Sequence, residues 1–298
     1  MDSPQDVSGS PAPNRAGTEV ERMGDPLGLS RLGYAKALLQ LEALRRTGPI
    51  SEPVSETIAE EVPVALVYNG EPHVVMMATP QDLEDFALGF SYTEELIARP
   101  EDIRRIDVVG YSRGIELQIT TVPECADEIA SRGRKLTGRT GCGICGAESF
   151  DAVMKQLHRV GPGEPIRLEA VQRAMQGIQS GQQLNAAAGA VHAAGWATRE
   201  GTVELVREDV GRHNALDKLI GALLKRGTDP ASGFVVITSR ASFEMVQKTT
   251  VLGAPLLAAI SGPTGLAVRV AQQAGLTLLG FARGNRATVY THPDRLTS

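Results

Sequence analysis

The last third of this 298-residue chain alternates between strand and helix signals, and that alternation constrains the fold more than any other feature. Val203–Arg207 reads as a strand and Ala215–Lys225 as a helix. Phe234–Thr238 is then a strand, Phe243–Leu252 a helix, Leu256–Ile260 a strand, Gly265–Ala274 a helix and Leu276–Phe281 a strand. Repeated alternation of this kind predicts a mainly parallel sheet with helices on its faces. Such sheets bind ligands outside the carboxyl ends of their strands. Here those ends are Arg207–Asp209, Ser239-Arg240, Ser261-Gly262 and Phe281–Arg286, which are polar and glycine-rich.

The preceding half reads differently. Val62–Tyr68 and His73–Ala78 are β-rich around an Asn69-Gly70 hairpin turn. Thr79-Pro80 has the form of an N-cap with proline at the first helical position, opening a helix through Leu96. Ile103–Val109 and Ile115–Thr121 are two further strands around a turn at 112–114. The hairpin, helix, hairpin order makes an α+β unit. Ahead of it, Met1 to about Arg22 is Ser/Pro-rich, nearly free of large apolar residues and expected to be disordered. Leu38–Arg46 (LLQLEALRR) has helical spacing of leucines. Ser131–Gly146 holds five glycines and four basic residues without periodicity and reads as a mobile loop. Helices are expected again at Glu148–His158 and around Leu168–Gln179. The chain thus divides into a disordered extension (1–57), an N-terminal α+β domain (58–130), a loop (131–147) and a C-terminal α/β domain (148–298).

Hydrophobic residues make up 42% and charged residues 22% of the chain, ordinary for a globular protein. A net charge of −5 argues against a general nucleic-acid binder, though not against a local basic pocket. Apolar runs such as Val251–Ile260 are too short for a membrane span, and MDSPQDVSGS lacks the basic and apolar regions of a signal peptide. The expected compartment is the cytoplasm.

Three cysteines, Cys125, Cys142 and Cys145, are too few and too odd in number for a disulfide framework. Cys142 and Cys145 form a glycine-flanked Cys-x-x-Cys. Arg132, Arg134, Lys135 and Arg139 precede it, and nearby positive charge favours the reactive thiolate. A helix beginning at Glu148 would add its positive end. The residues alone admit a dithiol redox pair, a zinc knuckle, an inert pair or a persulfide carrier. The redox pair is disfavoured by the long basic loop ahead of it. Zinc is disfavoured because Cys125, His158, His192 and His213 show no ligand spacing that would complete four donors.

Beyond the cysteines, Arg207, Arg212, His213 and Lys218 lie between a strand and a helix, placed to meet phosphate or guanine, with Asp209 or Asp217 to orient them. The plainer alternative is a helix capped at Asn214 with Lys218 solvated. Ser239-Arg240-Ala241-Ser242 precedes a helix, where hydroxyls and amides either hold an anion or simply cap. Arg283 and Arg286 around Gly284 suit a diphosphate, or a basic turn into a final strand at Ala287–Tyr290.

Taken in order, TGRTGCGICGAESF, ELVREDVGRHNALDKLIG, TSRASFEMVQK and GFARGNRATVYTHPDRL resemble the formate dehydrogenase accessory sulfurtransferases, the FdhD proteins, from about Glu61 to the C-terminus. The resemblance implies a small N-terminal domain, a flexible Cys-x-x-Cys loop and a C-terminal domain similar to cytidine deaminase. It implies that sulfur arrives from a cysteine desulfurase as a persulfide and passes to a bis-molybdopterin guanine dinucleotide cofactor before that cofactor enters formate dehydrogenase. By motif position Cys142 carries the persulfide and Cys145 is its partner. Phe281, Ala282, Arg283, Gly284, Asn285 and Arg286 match the cofactor-binding stretch, to which Arg207, Arg212, His213, Ser239 and Arg240 are added from the reading above. A homodimer is implied, with no bound metal. The His-x-Glu and Pro-Cys-x-x-Cys signature of zinc deaminases is absent, so no deamination is expected. A non-catalytic cofactor chaperone is the competing function.

Overall fold

The structure, a computed structural model, describes residues 36–111, 114–136 and 157–297. Cys142, Cys145, Arg139 and the start of the helix expected at Glu148 lie outside these residues, while Leu157 and His158 are not helical.

Leu38–Arg46 is not a helix. Strands β1 (Leu38–Thr47) and β2 (Ile50–Ala59) pair in full antiparallel register, so the part of the extension read as disordered that lies beyond Ala37 is an ordered hairpin. Its two-residue turn, Gly48-Pro49, has Gly48 at φ 61°, which hairpin turns of this length require. The leucines are spaced for a helix, but β-branched residues in β2 and the turn decide the outcome.

The N-terminal unit follows the expected order. Strands β3 (Val62–Tyr68), β4 (Glu71–Ala78), β5 (Ile103–Tyr111) and β6 (Gly114–Thr121) form a sheet in the order β4-β3-β6-β5, with β3 and β6 parallel. Helix α1 (Leu83–Thr93) lays Leu83, Phe86, Ala87 and Phe90 on the sheet. Its N-cap is Asp82 rather than Thr79, for a reason that belongs to the site described below. Helix α2 (Pro123–Leu136) replaces the first part of the expected loop. Pro123 opens it, and Ile129 and Cys125 pack on the same core.

The C-terminal sheet holds β8 (His192–Thr198), β9 (Val203–Asp209), β10 (Gly233–Ile237), β11 (Leu256–Ala259), β12 (Thr277–Arg283) and β13 (Arg286–Thr291), in the order β13-β12-β11-β10-β8-β9. It is mixed, not mainly parallel: only β10–β11 and β11–β12 pair in parallel. The difference comes from β8, an alanine- and glycine-rich strand with no strong β signal, which inserts antiparallel between β9 and β10. Two antiparallel pairings in succession restore direction, so β9, β10, β11 and β12 still end at one edge of the sheet. A short pair, β7 (Ile166–Arg167) with β14 (Leu296–Thr297), lies outside it.

Side chains alternate across this sheet with the period of two that a strand imposes. Val235, Ile237, Leu257, Ala259 and Leu278 face helices α5 (Arg212–Arg226), α6 (Phe243–Leu252) and α7 (Gly265–Ala274). Phe234, Val236, Leu256, Ala258 and Leu279 face α3 (Leu168–Ser180). The short α4 (Gln183–Ala188) follows α3.

The two units meet where α1 crosses α5. At the crossing Gly89 and Gly221 let the backbones touch. A Cβ at Gly89 would collide with the Asp217 carbonyl, and one at Gly221 with the Asp85 carbonyl. Backbone cannot yield as a side-chain tip can. Gly89→Ala is therefore expected to cost about 3 kcal/mol, read as a lowered urea midpoint with an unchanged m-value.

Candidate functional site

The polar segment Glu204–Leu219 supplies two separate structures. The first is buried between the two units. Asp209 and Lys218 are wholly buried and 2.6 Å apart. The Asp209 carboxylate also accepts from the backbone N–H groups of Thr79 and Gly211 and from Asn214 Nδ2. Lys218 donates to the Thr79 carbonyl, Val210 N–H donates to Thr79 Oγ1, and Asn214 Nδ2 donates to the Met77 carbonyl. Thr79 is thus a joint between the units rather than a helix cap. Gly211, not Asn214, caps α5.

A second buried cluster is built on the neighbouring α5 residue, Asp217. Lys248 meets Asp217 at 2.9 Å, Glu94 at 3.0 Å and Thr93 Oγ1 at 2.8 Å, and stands 5.6 Å from the centre of the Phe90 ring. Thr93 Oγ1 donates to Asp217 at 2.7 Å. Burial pulls the Lys248 ammonium down, but Asp217 and Glu94 together raise it above the usual lysine range, so it stays charged. Arg207 also faces inward: its guanidinium pairs with Asp85 at 2.8 Å and lies 3.5 Å from Asp82. Of the sequence-derived candidates, Arg207, Asp209, Asp217 and Lys218 therefore join the units.

The second structure is the exposed carboxyl rim of the sheet. Helices α5, α6 and α7 all open there, after β9, β10 and β11, so their positive ends share the rim; in α7 the Ala267 N–H donates to the Thr264 hydroxyl. Arg212 and His213 start α5 and are half-buried. Ser239 is buried and donates to the Arg240 carbonyl, while Arg240 is exposed. His213 Nε2 lies 3.8 Å from Glu244 Oε2, linking the first turns of α5 and α6. That imidazole, with Glu244's own N–H and the Ser242 hydroxyl, outweighs burial and holds the Glu244 carboxyl down at about 2.

At the far end of the rim, Phe281 has φ 51° in an irregular stretch of the β12–β13 ladder. This backbone disposition is unfavourable for a bulky residue and is worth reading as functional. It leaves the ring 47% exposed. The ring covers Gly262, where a Cβ would stand 2.7 Å from Phe281 Cζ. Arg283, Gly284, Asn285 and Arg286 are exposed around the turn, and Arg283 Nε donates to the Ile260 carbonyl. Ala282 alone of this stretch is in the core. From β9 to β12 is four strand spacings, or ~19 Å.

Sequence reasoning weighed His192 only as a zinc donor and did not place it at the rim. It begins β8 at the rim, opposite Asp209 in the ladder. Burial, then Arg212 and His213, hold its imidazole below the usual histidine range, with Asp209 opposing. The only signal was position: an isolated histidine ahead of a weak strand.

The family model described as the FdhD/NarQ family matches residues 59–297. The chain belongs to the FdhD/NarQ family. Among curated members, the sulfur carrier protein FdhD of Bordetella petrii is 52% identical over 242 residues, 81% of this chain and 87% of that one. The protein of the same name from Xanthomonas campestris pv. campestris strain B100 is 52% identical over 252 residues, 85% of this chain and 90% of that one. A solved structure of a candidate formate dehydrogenase accessory protein from Desulfotalea psychrophila superposes with a TM-score of 0.71. It covers 88% of this chain and 100% of that one at 23% identity, a likeness of fold.

The rim of this FdhD/NarQ chain makes a pH prediction. The Glu244 carboxyl lies at about 2 in the folded protein against an ordinary 4.5, so its contribution to stability is complete above pH 4.5 and lost as pH falls towards 2. Glu244→Gln should flatten the decline of the urea midpoint across that window.

Proposed function

We propose that this protein is a sulfur carrier that takes sulfur onto Cys142 from the persulfide of a cysteine desulfurase. It then delivers that sulfur to the bis-molybdopterin guanine dinucleotide cofactor destined for formate dehydrogenase. The names of the 52%-identical relatives support sulfur carriage. The observation that carries the choice of acceptor is the carboxyl rim, where three helix N-termini and Arg212, Arg240, Arg283 and Arg286 lie along one edge. A rim of ~19 Å suits a ligand with separated phosphates, and the exposed Phe281 ring offers a face for a base. In this reading the C-terminal unit is a cytidine-deaminase-like domain that binds a nucleotide moiety without deaminating it. The protein works in the cytoplasm as a homodimer.

The chemistry balances in two steps. The Cys142 thiolate attacks the outer sulfur of the donor persulfide. The donor S–S bond breaks, a new one forms on Cys142, and the donor cysteine leaves as a thiolate. The Cys145 thiolate then attacks the inner sulfur of Cys142, releasing the outer atom as sulfide to the acceptor metal. Two thiolate sulfurs are oxidised to a disulfide while the carried sulfur is reduced.

Intact mass spectrometry after incubation with a desulfurase and cysteine tests this. A gain of one sulfur atom is expected, reversed by reductant, absent in Cys142→Ala and retained in Cys145→Ala. An unloaded wild type, beside a control acceptor that loads, would overturn the reading. Cys142→Ala that still activates formate dehydrogenase would favour the cofactor chaperone instead. Separately, Arg283→Ala/Arg286→Ala should weaken guanosine diphosphate binding at least about tenfold, measured by calorimetry, because it removes two charge-assisted phosphate contacts.

A further inference from the structure

The corner of the rim between α5 and α6 holds a carboxylate that phosphate binding does not use. Glu244 stands in the first turn of α6, and His213 faces it from the first turn of α5. Their side chains are 20% and 16% exposed, so both open to the rim while largely withdrawn from water. A first-turn glutamate commonly does no more than meet its helix's positive end. Such a residue needs neither burial nor an imidazole from a second helix.

Two polar groups beside it are left over. Ser242 occupies the N-cap of α6 and is 4% exposed, yet its side chain makes no capping bond. Its hydroxyl is near enough to help hold Glu244 ionised but completes no hydrogen bond among the described residues, and neither does His213 Nε2. At 3.8 Å, His213 and Glu244 stand too far apart to bond directly. Buried polar groups without partners are costly unless something else supplies the bond. Asp209, at the end of β9, is no rival carboxylate, because Lys218 and three N–H donors enclose it.

The neighbouring loop brings an aromatic face. Ala241, just before Ser242, bridges to Pro263, and the Thr264 N–H donates to the Ala241 carbonyl at 3.0 Å. Gly262 precedes Pro263 and lies under the exposed Phe281 ring, and the Phe281 N–H donates to the Ser261 carbonyl. Ring and carboxylate therefore belong to loops joined side by side, one strand spacing (~5 Å) apart.

A fixed negative charge repels phosphate and attracts paired N–H donors. A planar heterocycle stacked on Phe281 can reach Glu244 with its edge, and a 2-amino-4-oxopyrimidine edge suits that corner. Its ring N–H and amino group donate side by side to one carboxylate, and its carbonyl oxygen accepts from the Ser242 hydroxyl or the His213 imidazole. We propose that Glu244 is a specificity-determining residue, its carboxylate reading the 2-amino-4-oxopyrimidine edge that guanine and pterin share while the ring stacks on Phe281. His213 and Ser242 hold that carboxylate in place and meet the carbonyl oxygen. This role rests on the nucleotide-binding reading of the rim and is independent of how sulfur is carried.

Calorimetry of the full-length protein at neutral pH tests it, with guanosine diphosphate, inosine diphosphate and 6-hydroxymethylpterin as probes. Inosine diphosphate lacks only the 2-amino group. Where guanine is read, the wild type should bind guanosine diphosphate at least about tenfold more tightly than inosine diphosphate, and Glu244→Gln should bring the two together. Where pterin is read, the two nucleotides should bind alike, and Glu244→Gln should weaken 6-hydroxymethylpterin at least about tenfold. The nucleotide ratio is taken on one preparation, so partial unfolding of the variant does not disturb it. Calorimetric stoichiometry gives the folded fraction in the pterin titration. Nucleotides bound alike by the wild type, with pterin affinity unchanged in Glu244→Gln, would overturn the proposal and leave the rim's phosphate binding standing. Discrimination that survives Glu244→Gln would overturn it too. A wild type that binds none of the three would overturn the nucleotide reading with it, while sulfur loading is judged separately by mass.

Discussion

Asp209 and Lys218 lie 2.6 Å apart with no solvent on either side chain, and the relation between the two halves of the protein depends on them. Taking both charges out of water costs several kcal/mol each, and their attraction repays this only when every remaining valence is satisfied. Here the carboxylate accepts from Thr79, Gly211 and Asn214 as well, and the ammonium reaches the Thr79 carbonyl. Thr79 meets the pair with its N–H and C=O groups and accepts from Val210 with its hydroxyl. A hydrophobic pair of equal volume would tolerate sliding. Directed bonds to one residue of the other unit do not, so the pair sets position as well as proximity.

The Gly89–Gly221 contact adds a second constraint to that one. Backbone-to-backbone packing sets the depth of the helix crossing, whereas the Asp209 and Lys248 clusters, built on the adjacent α5 residues Lys218 and Asp217, tie it to Thr79 and Thr93. Because α5 belongs to both the interface and the sheet's carboxyl edge, its first turn is held from behind. Arg212 and His213 stand at that fixed edge, and Glu244 faces His213 from the next helix.

Charge follows the same division. The chain is acidic overall, with a net −5, yet its arginines at the rim are joined by three helix N-termini. Acidic partners for positive groups are placed inside, at Asp85, Asp209 and Asp217, where they hold the units together. At the edge itself, Glu244 is kept ionised beside His213. Phe281 adds an exposed ring where a strand would ordinarily bury or flatten it, and Gly262 is the residue that leaves space beneath it.

Much of this was legible from residues. Gly265–Ala274 and Phe243–Leu252 were read to the residue, because a period of 3.6 and glycine just beyond the last turn are local properties. Asn69-Gly70 announced its hairpin for the same reason. The sequence by itself also placed polar and glycine-rich residues at the ends of β9, β10, β11 and β12, since those residue types follow each strand directly. Tertiary structure alone decided that β8 slips antiparallel between β9 and β10, that Leu38–Arg46 is a strand, and that Arg207, Asp209, Asp217 and Lys218 face inward. A charged side chain beside a helix start reads alike whether it meets a ligand or another part of the chain. Only burial and the identity of the group 2.6 Å away tell the two apart.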